Sequence, residues 1–184
     1  RQMTEIDRIN AKLKNQKSKF WILKGAEVNI LKDGSLDIND EVLEKLDVVG
    51  VSVHSLLKMS KKDMTERIIR AMNNPHVDIL FHPTGRLLKK RDPYDVDMEQ
   101  IIKTAVKTNT ILEINAHPTR LDLKDEHIRM GVEMGAKFVI NSDAHNKEHL
   151  KYLEFGIAQA RRGWAEADDV LNTLPIDKFM SKLK

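Results

Sequence analysis

Short apolar runs alternate along this chain with segments whose apolar residues recur at helical spacing, and the pair repeats about five times. Residues 1–19 read as a polar helix with Ile6, Ile9 and Leu13 on one side. Residues 21–30 read as a strand, left by the turn Lys32-Asp33-Gly34-Ser35. Asn39 and Asp40 can cap a short helix to residue 46, with Glu41 and Glu44 near its positive end. Residues 47–53 are mostly β-branched, as a strand buried on both faces requires.

Ser60 is placed to cap a helix over 60–72, whose Met64, Ile68 and Met72 are four apart; Asn73-Asn74-Pro75 ends it. Residues 77–81 form the next expected strand, and His82-Pro83-Thr84-Gly85-Arg86 the loop leaving it. Asp97 can cap a helix carrying Met98, Ile101, Ile102, Ala105 and Val106 in an i, i+3, i+4 pattern. Strands over 111–114 and 137–140 flank a helix over 124–134, and helices near 147–161, 167–173 and 176–183 complete the chain. This rhythm predicts an α/β fold of parallel βα repeats with right-handed crossovers. Five units fall short of a closed eight-stranded barrel, so the sheet is expected to be open, or the chain to lack its first units.

Composition narrows the class only a little. With 41% hydrophobic and 32% charged residues over 184 positions, one domain with a real core is expected. No apolar stretch reaches the roughly 18 residues of a membrane span, the N-terminus lacks a secretory pattern, and a cytoplasmic protein is the expectation. Cysteine is absent, so any metal must be held by nitrogen and oxygen. The formal charge of +3 is weak evidence for a nucleic-acid partner, although basic residues gather at Lys58–Lys62, Arg86–Arg91 and Arg161-Arg162.

The chemistry lies at the strand ends. Glu27, His54, His82, Asp143 and His145 each end or follow an apolar run, on the edge where α/β barrels assemble active sites. Recurrence carries the case, because a single His after a strand is more often structural. Imidazoles and carboxylates converging there are a ligand set for zinc, manganese or iron. Asp143 and His145, two apart on an extended segment, are expected to project to one side. His76 precedes a strand and belongs at the opposite edge; His127 and His149 fall on helices and read as exposed; His117 can line the site mouth. Arg86 and Arg120 follow Pro-Thr-Gly and Pro-Thr in loops on the same edge, where a guanidinium could hold phosphate or pair with a nearby acid. Asp122 could orient Arg120. With no glycine-rich phosphate loop and no Ser-His-Asp or Cys nucleophile apparent, water activated by metal is the catalytic chemistry these residues support.

From about residue 20 onward, the segments Lys24-Gly-Ala-Glu-Val-Asn-Ile30, Val53-His-Ser55, Asp78-Ile-Leu-Phe-His-Pro-Thr-Gly-Arg86, Leu112-Glu-Ile-Asn115, Arg120-Leu-Asp-Leu123 and Ile140-Asn-Ser-Asp-Ala-His145 resemble the PHP (polymerase and histidinol phosphatase) domain. The tail, Ala160-Arg-Arg-Gly-Trp164 and Asp169-Val-Leu-Asn-Thr-Leu-Pro175, is similar to the form carried by bacterial and archaeal family X DNA polymerases. The resemblance implies a distorted (β/α)7, TIM-like barrel with up to three metal ions on its C-terminal face. It implies a manganese- or zinc-dependent phosphoesterase acting as a 3′–5′ exonuclease in DNA repair, with DNA 3′ ends reached through the full-length polymerase.

The family's first ligands, a His-x-His motif among them, have no counterpart here, while Glu27, His54, His82, Asp143 and His145 match the rest. Residues 1–184 therefore resemble the C-terminal part of a PHP domain, without its first βα units or the polymerase domain. By that resemblance Glu27, His54 and His82 serve one ion, and Asp143 and His145 serve two ions whose other ligands are missing. At most one ion and little activity are expected of the chain alone, and either a homo-oligomer or helix 1–19 is expected to cover the open edge. The alternatives are a small-molecule phosphatase of the histidinol-phosphatase type and a non-catalytic structural or DNA-binding module.

Overall fold

A computed structural model describes residues 1–18 and 20–184; the last position of the helix expected over 1–19 lies outside them. Strands β1 (Gly25–Asn29), β2 (Val48–Ser52), β3 (Ile79–Leu80), β4 (Ile111–Asn115) and β5 (Phe138–Asn141) form one sheet in that order, with every pair parallel. The helices are α1 (Gln2–Asn15), α2 (Asp40–Leu43), α3 (Lys61–Met72), α4 (Met98–Thr108), α5 (Asp125–Glu133), α6 (Leu153–Arg162) and α7 (Ile176–Met180). Ser60 and Asp97 cap α3 and α4 as expected, their side chains accepting the N–H of Asp63 and Gln100. Among the described residues no ladder joins β5 to β1, so the sheet is open.

Two strands are shorter than the apolar runs predict, for local reasons. Residues 21–24 do not pair as strand because the Asn10 side chain of α1 takes both backbone groups of Ile22, at 2.7 and 3.0 Å. Lys24 N–H goes to Asp47. The β3 ladder shrinks to two residues because the Asp78 carboxylate, rather than a backbone carbonyl, accepts Val49 N–H at 2.8 Å. The helix expected over 147–161 starts as a 3₁₀ turn, Lys147–Tyr152, and that over 167–173 is two such turns.

Alternation along the strands sorts side chains onto two faces. Val28, Val51, Leu80, Leu112, Ile114 and Phe138 point to the face covered by α3–α6 and join the main core. The opposite face is graded. Val48, Ile79, Ile111 and Val139 make a lower apolar layer, covered by Leu171, Leu174, Phe179 and Leu183. Above it the same face turns polar, with Glu27, Ser52, Glu113, Asn115 and Asn141 toward the C-terminal strand ends. Gly50 lies at the boundary because the Phe81 ring crosses it: a Cβ there would stand 2.0 Å from the ring.

The free edge at β5 is masked by the C-terminal segment. Val170 bridges Phe138, and the Asn172 amide pairs with both backbone groups of Ile140, at 2.7 and 3.0 Å. This matters because unpaired strand edges template association. Helix α1 lies toward the other edge of the sheet, tied to the segment ahead of edge strand β1 through Asn10–Ile22 and Asp7–Lys24.

Gly50→Ala is expected to lower the unfolding free energy by about 1–3 kcal/mol through overpacking against Phe81. Adding Phe81→Leu should recover part of that loss. Urea denaturation of the two single variants and the double variant measures both; additive effects would show that the ring is not the obstacle.

Candidate metal centre

The polar end of the inner face brings Glu27, His54 and His82 together. Glu27 Oε1 lies 2.9 Å from His82 Nε2 and 3.1 Å from His54 Nε2, and one donor atom from each residue falls within 4.8 Å of the other two. Glu27 is brought by the outermost strand, β1, and Ser52 Oγ donates to the same carboxylate oxygen at 2.9 Å. His54 follows β2, and its Nδ1 donates to Asn29 Oδ1 at 2.6 Å, which leaves Nε2 as the free nitrogen. His82 leaves β3 with φ +28°, and its ring is buried, with Nδ1 unpartnered among the described residues.

The proton states suit a cation. The His82 hydrogen bond, above all, holds the Glu27 carboxyl down at about 2. Burial depresses His54 below the usual imidazole range, keeping its lone pair free. An ionised carboxylate and an imidazole with a free lone pair are what a divalent ion needs, since protons compete for the same atoms; at His82 the ion would take the place of the Nε2 proton that faces Glu27. Two imidazole nitrogens and one carboxylate oxygen fit zinc, manganese or iron, with room left for other ligands.

A buried carboxylate supports this group. Glu113 is 3% exposed; it accepts His82 N–H at 2.6 Å and the side-chain amides of Asn141 and Asn115 at 2.9 and 3.2 Å. Burial pushes its carboxyl up to about 7. The Asn115 amide also donates to Asp143 at 3.2 Å, so Glu113 links His82 to the next strand end. Farther out, the buried Arg67 of α3 donates to the carbonyls of Ile30, Leu31 and Ser55, fixing the loops behind Asn29 and His54. A cavity of about 350 Å³ opens beside these groups, with Glu27, His82, Glu113 and Asp143 at its polar end and Phe81 and Phe179 in its apolar wall.

Other expected residues take different places. Asp143 is not on extended backbone: its φ is +51°, and its carboxylate accepts from Arg120 Nε at 3.2 Å. His145 is 75% exposed at its side chain and stands outside the Glu27 group, with Nδ1 2.9 Å from the Asp143 carbonyl. Arg86 is half-buried and donates to the carbonyls of Arg120 and Leu121, so it buttresses the loop that carries Arg120. Asp122 does not orient Arg120; it is buried and accepts from the Thr84 backbone and hydroxyl. His127 and His149 are half-buried rather than exposed. His149 stacks on Tyr152, and His117 meets both rings edge-on.

Glu113, Asn29, Ser52 and Arg67 were not singled out by sequence pattern. Glu113 did leave a signal, a carboxylate between Leu112 and Ile114 in a strand buried throughout.

No family model matches the chain. It is 45% identical, along its whole length, to the DNA polymerase/3′-5′ exonuclease PolX of Bacillus subtilis strain 168, and spans 31% of that protein. It is 32% identical over 173 residues to a "probable phosphatase" of Thermoanaerobacter sp. strain X514, covering 89% of this chain and 68% of the relative. A "probable phosphatase" of Caldanaerobacter subterraneus is 34% identical over 134 residues, which is 67% of this chain and 50% of the relative. The chain belongs to the PHP family.

Glu113 generates a pH prediction. A carboxyl whose pKa is higher folded (about 7) than unfolded (4.5) is held protonated by the fold, so stability falls as pH rises through that window. In metal-free protein the Glu113→Gln variant should lack this component, its stability curve diverging from wild type by up to about 1.4 kcal/mol per pH unit. Parallel curves between pH 4.5 and 7 would show that Glu113 does not titrate there.

Proposed function

We propose that this chain is the C-terminal part of a metal-dependent phosphoesterase domain carried by a family X DNA polymerase, and that the whole domain hydrolyses phosphodiester bonds at DNA 3′ ends during repair. The convergence of Glu27, His54 and His82 supports this reading more than any other observation. The name of the Bacillus subtilis relative, similar over the whole chain, supports the substrate. The names of the phosphatase relatives favour a second reading, hydrolysis of small phosphate monoesters in the cavity beside Glu27.

A divalent ion at Glu27, His54 and His82 would act as a Lewis acid toward a phosphoryl oxygen and make water nucleophilic at neutral pH. The residues present do the rest of the positioning. Glu27 stays ionised against Ser52 and His82, while Asn29 turns His54 so that Nε2 faces inward. Glu113 fixes the backbone of His82. The Arg120 guanidinium, paired with Asp143, is the cation best placed to meet a phosphate oxygen in this reading. Phe81 and Phe179 line the cavity below and limit water there.

By the same reading the chain alone is a poor catalyst. Asp143 is paired with Arg120, and His145 stands apart in solvent, so the described residues assemble only the Glu27 group as a candidate ion site. The two-ion clamp that stabilises attacking and leaving oxygens is then missing.

Calorimetric titration of the chain with manganese is expected to show one tight site, lost in His82→Ala; three tight ions would contradict the reading. With added manganese the chain should release little or no nucleotide from 3′-labelled DNA. Strong release that disappears in His82→Ala would overturn the proposed inactivity of the chain alone. In the longer protein carrying these residues, His82→Ala should abolish 3′-end hydrolysis and leave polymerisation intact. Loss of activity toward monoesters alone would favour the second reading.

A further inference from the structure

We propose that the basic loop between β3 and α4 is a second phosphate-binding surface, which holds the backbone of single-stranded DNA beside the metal centre. The proposal takes the identity of the polyanion from the phosphoesterase reading; the surface itself follows from charge and geometry.

Arg86, Lys89, Lys90, Arg91 and Lys124 line one depression of about 430 Å³, and Asp92 is the one carboxylate in its wall. The chain as a whole is nearly balanced, with 31 basic and 28 acidic residues, so this wall is a local excess of cations. Lys124 is partly neutralised by Glu126 at 3.3 Å. Among the described residues no carboxylate oxygen comes within 4.0 Å of a side-chain nitrogen of Lys89, Lys90 or Arg91. Surface lysines usually find acidic neighbours or wave freely in solvent; here two exposed lysines and an exposed arginine sit on a fixed frame.

The frame is well defined. Leu87 and Arg91 exchange both backbone hydrogen bonds, at 2.9 and 2.8 Å, and close a short hairpin with Lys89 at its tip, φ +62°. The Arg91 guanidinium clasps the Gly85 carbonyl at 2.6 Å, which orients its remaining N–H groups. Gly85 itself has φ +61° and lies against the Tyr94 ring, so the hairpin base cannot slide. Preorganised donors lose less entropy on binding phosphate than mobile ones.

Position assigns the partner. Leu88 N–H donates to Thr119 O at 2.7 Å, and Arg86 donates to Arg120 O at 2.9 Å, so the hairpin is bolted to the loop whose Arg120 side chain holds Asp143. Lining residues of both hollows are thus bonded to one loop, residues 117–121: Asp143 of the cavity beside Glu27, and Arg86 and Leu88 of the depression. A monoester would occupy the cavity alone. A polynucleotide with its terminal phosphodiester at Glu27, His54 and His82 has further phosphates to place, and the cationic wall is joined to that site through the same loop.

The test is fluorescence anisotropy of a labelled thymidine oligomer of about 15 nucleotides, a length within single-strand site sizes, titrated with the chain in chelator at several salt concentrations. Chelation keeps the metal centre out of the measurement. Lys89→Glu/Lys90→Glu should weaken binding at least about tenfold at low salt and reduce the slope of log K against log salt by about 1.4, the loss of two phosphate contacts on a single strand. Both side chains are exposed and, among the described residues, make no hydrogen bond that holds the fold, so the variant should melt like wild type. Wild-type affinity and slope in the lysine variant, or no binding by the wild-type chain at low salt, would overturn the proposal. Normal DNA binding by a wild-type chain that takes up no manganese in a separate, chelator-free titration would instead sink the metal reading and leave this surface standing.

Discussion

The carboxylate of Glu27, held against two imidazoles at the polar end of the inner sheet face, is the interaction to which the neighbouring parts of the molecule are fitted. The Glu27 side chain is 41% exposed, so water solvates part of its charge, and hydrogen bonds or opposite charge compensate the hydration it has lost. Ser52 and His82 supply part of that compensation, and a divalent cation would supply more. The need for compensation explains why the inner face is graded. Its lower layer can be Val48, Ile79 and Val139 because nothing there is charged; its upper layer must be amides, hydroxyls and carboxyls that satisfy one another.

That requirement spreads outward through named contacts. His82 can leave β3 at a positive φ because Glu113 takes its N–H, and Glu113 can be buried because two asparagine amides donate to it. Arg67 does the same service on the other side, giving three loop carbonyls a donor beneath His54 and Asn29. Such networks are costly to leave half satisfied, which makes them effective at holding one geometry.

Much of this was legible in the sequence. The β-branched run over 47–53 and the periodic Met64, Ile68, Met72 and Ile101, Ile102, Ala105 marked strand and helices, and Ser60 and Asp97 are the caps their positions suggested. Glu27, His54 and His82 were legible because they recur after successive strands. What stayed hidden depended on contacts between distant segments. The pairing of Arg86 with the carbonyls of Arg120 and Leu121 spans 34 and 35 residues, and no local pattern distinguishes it from a free arginine. The extended backbone expected at Asp143 is not found, because its left-handed conformation is set by tertiary context, not by the run before it. The edge cover at β5 comes from Val170 and Asn172, where a polar amide imitates a strand.

The most direct measurement of the central claim is anomalous diffraction from crystals of this chain grown with manganese, collected on both sides of the manganese absorption edge. The account predicts one strong anomalous peak, within about 2.0–2.3 Å of a Glu27 carboxylate oxygen and the Nε2 atoms of His54 and His82. A map without a peak among those three residues, or with its strongest peak at Asp143 and His145 instead, would contradict it.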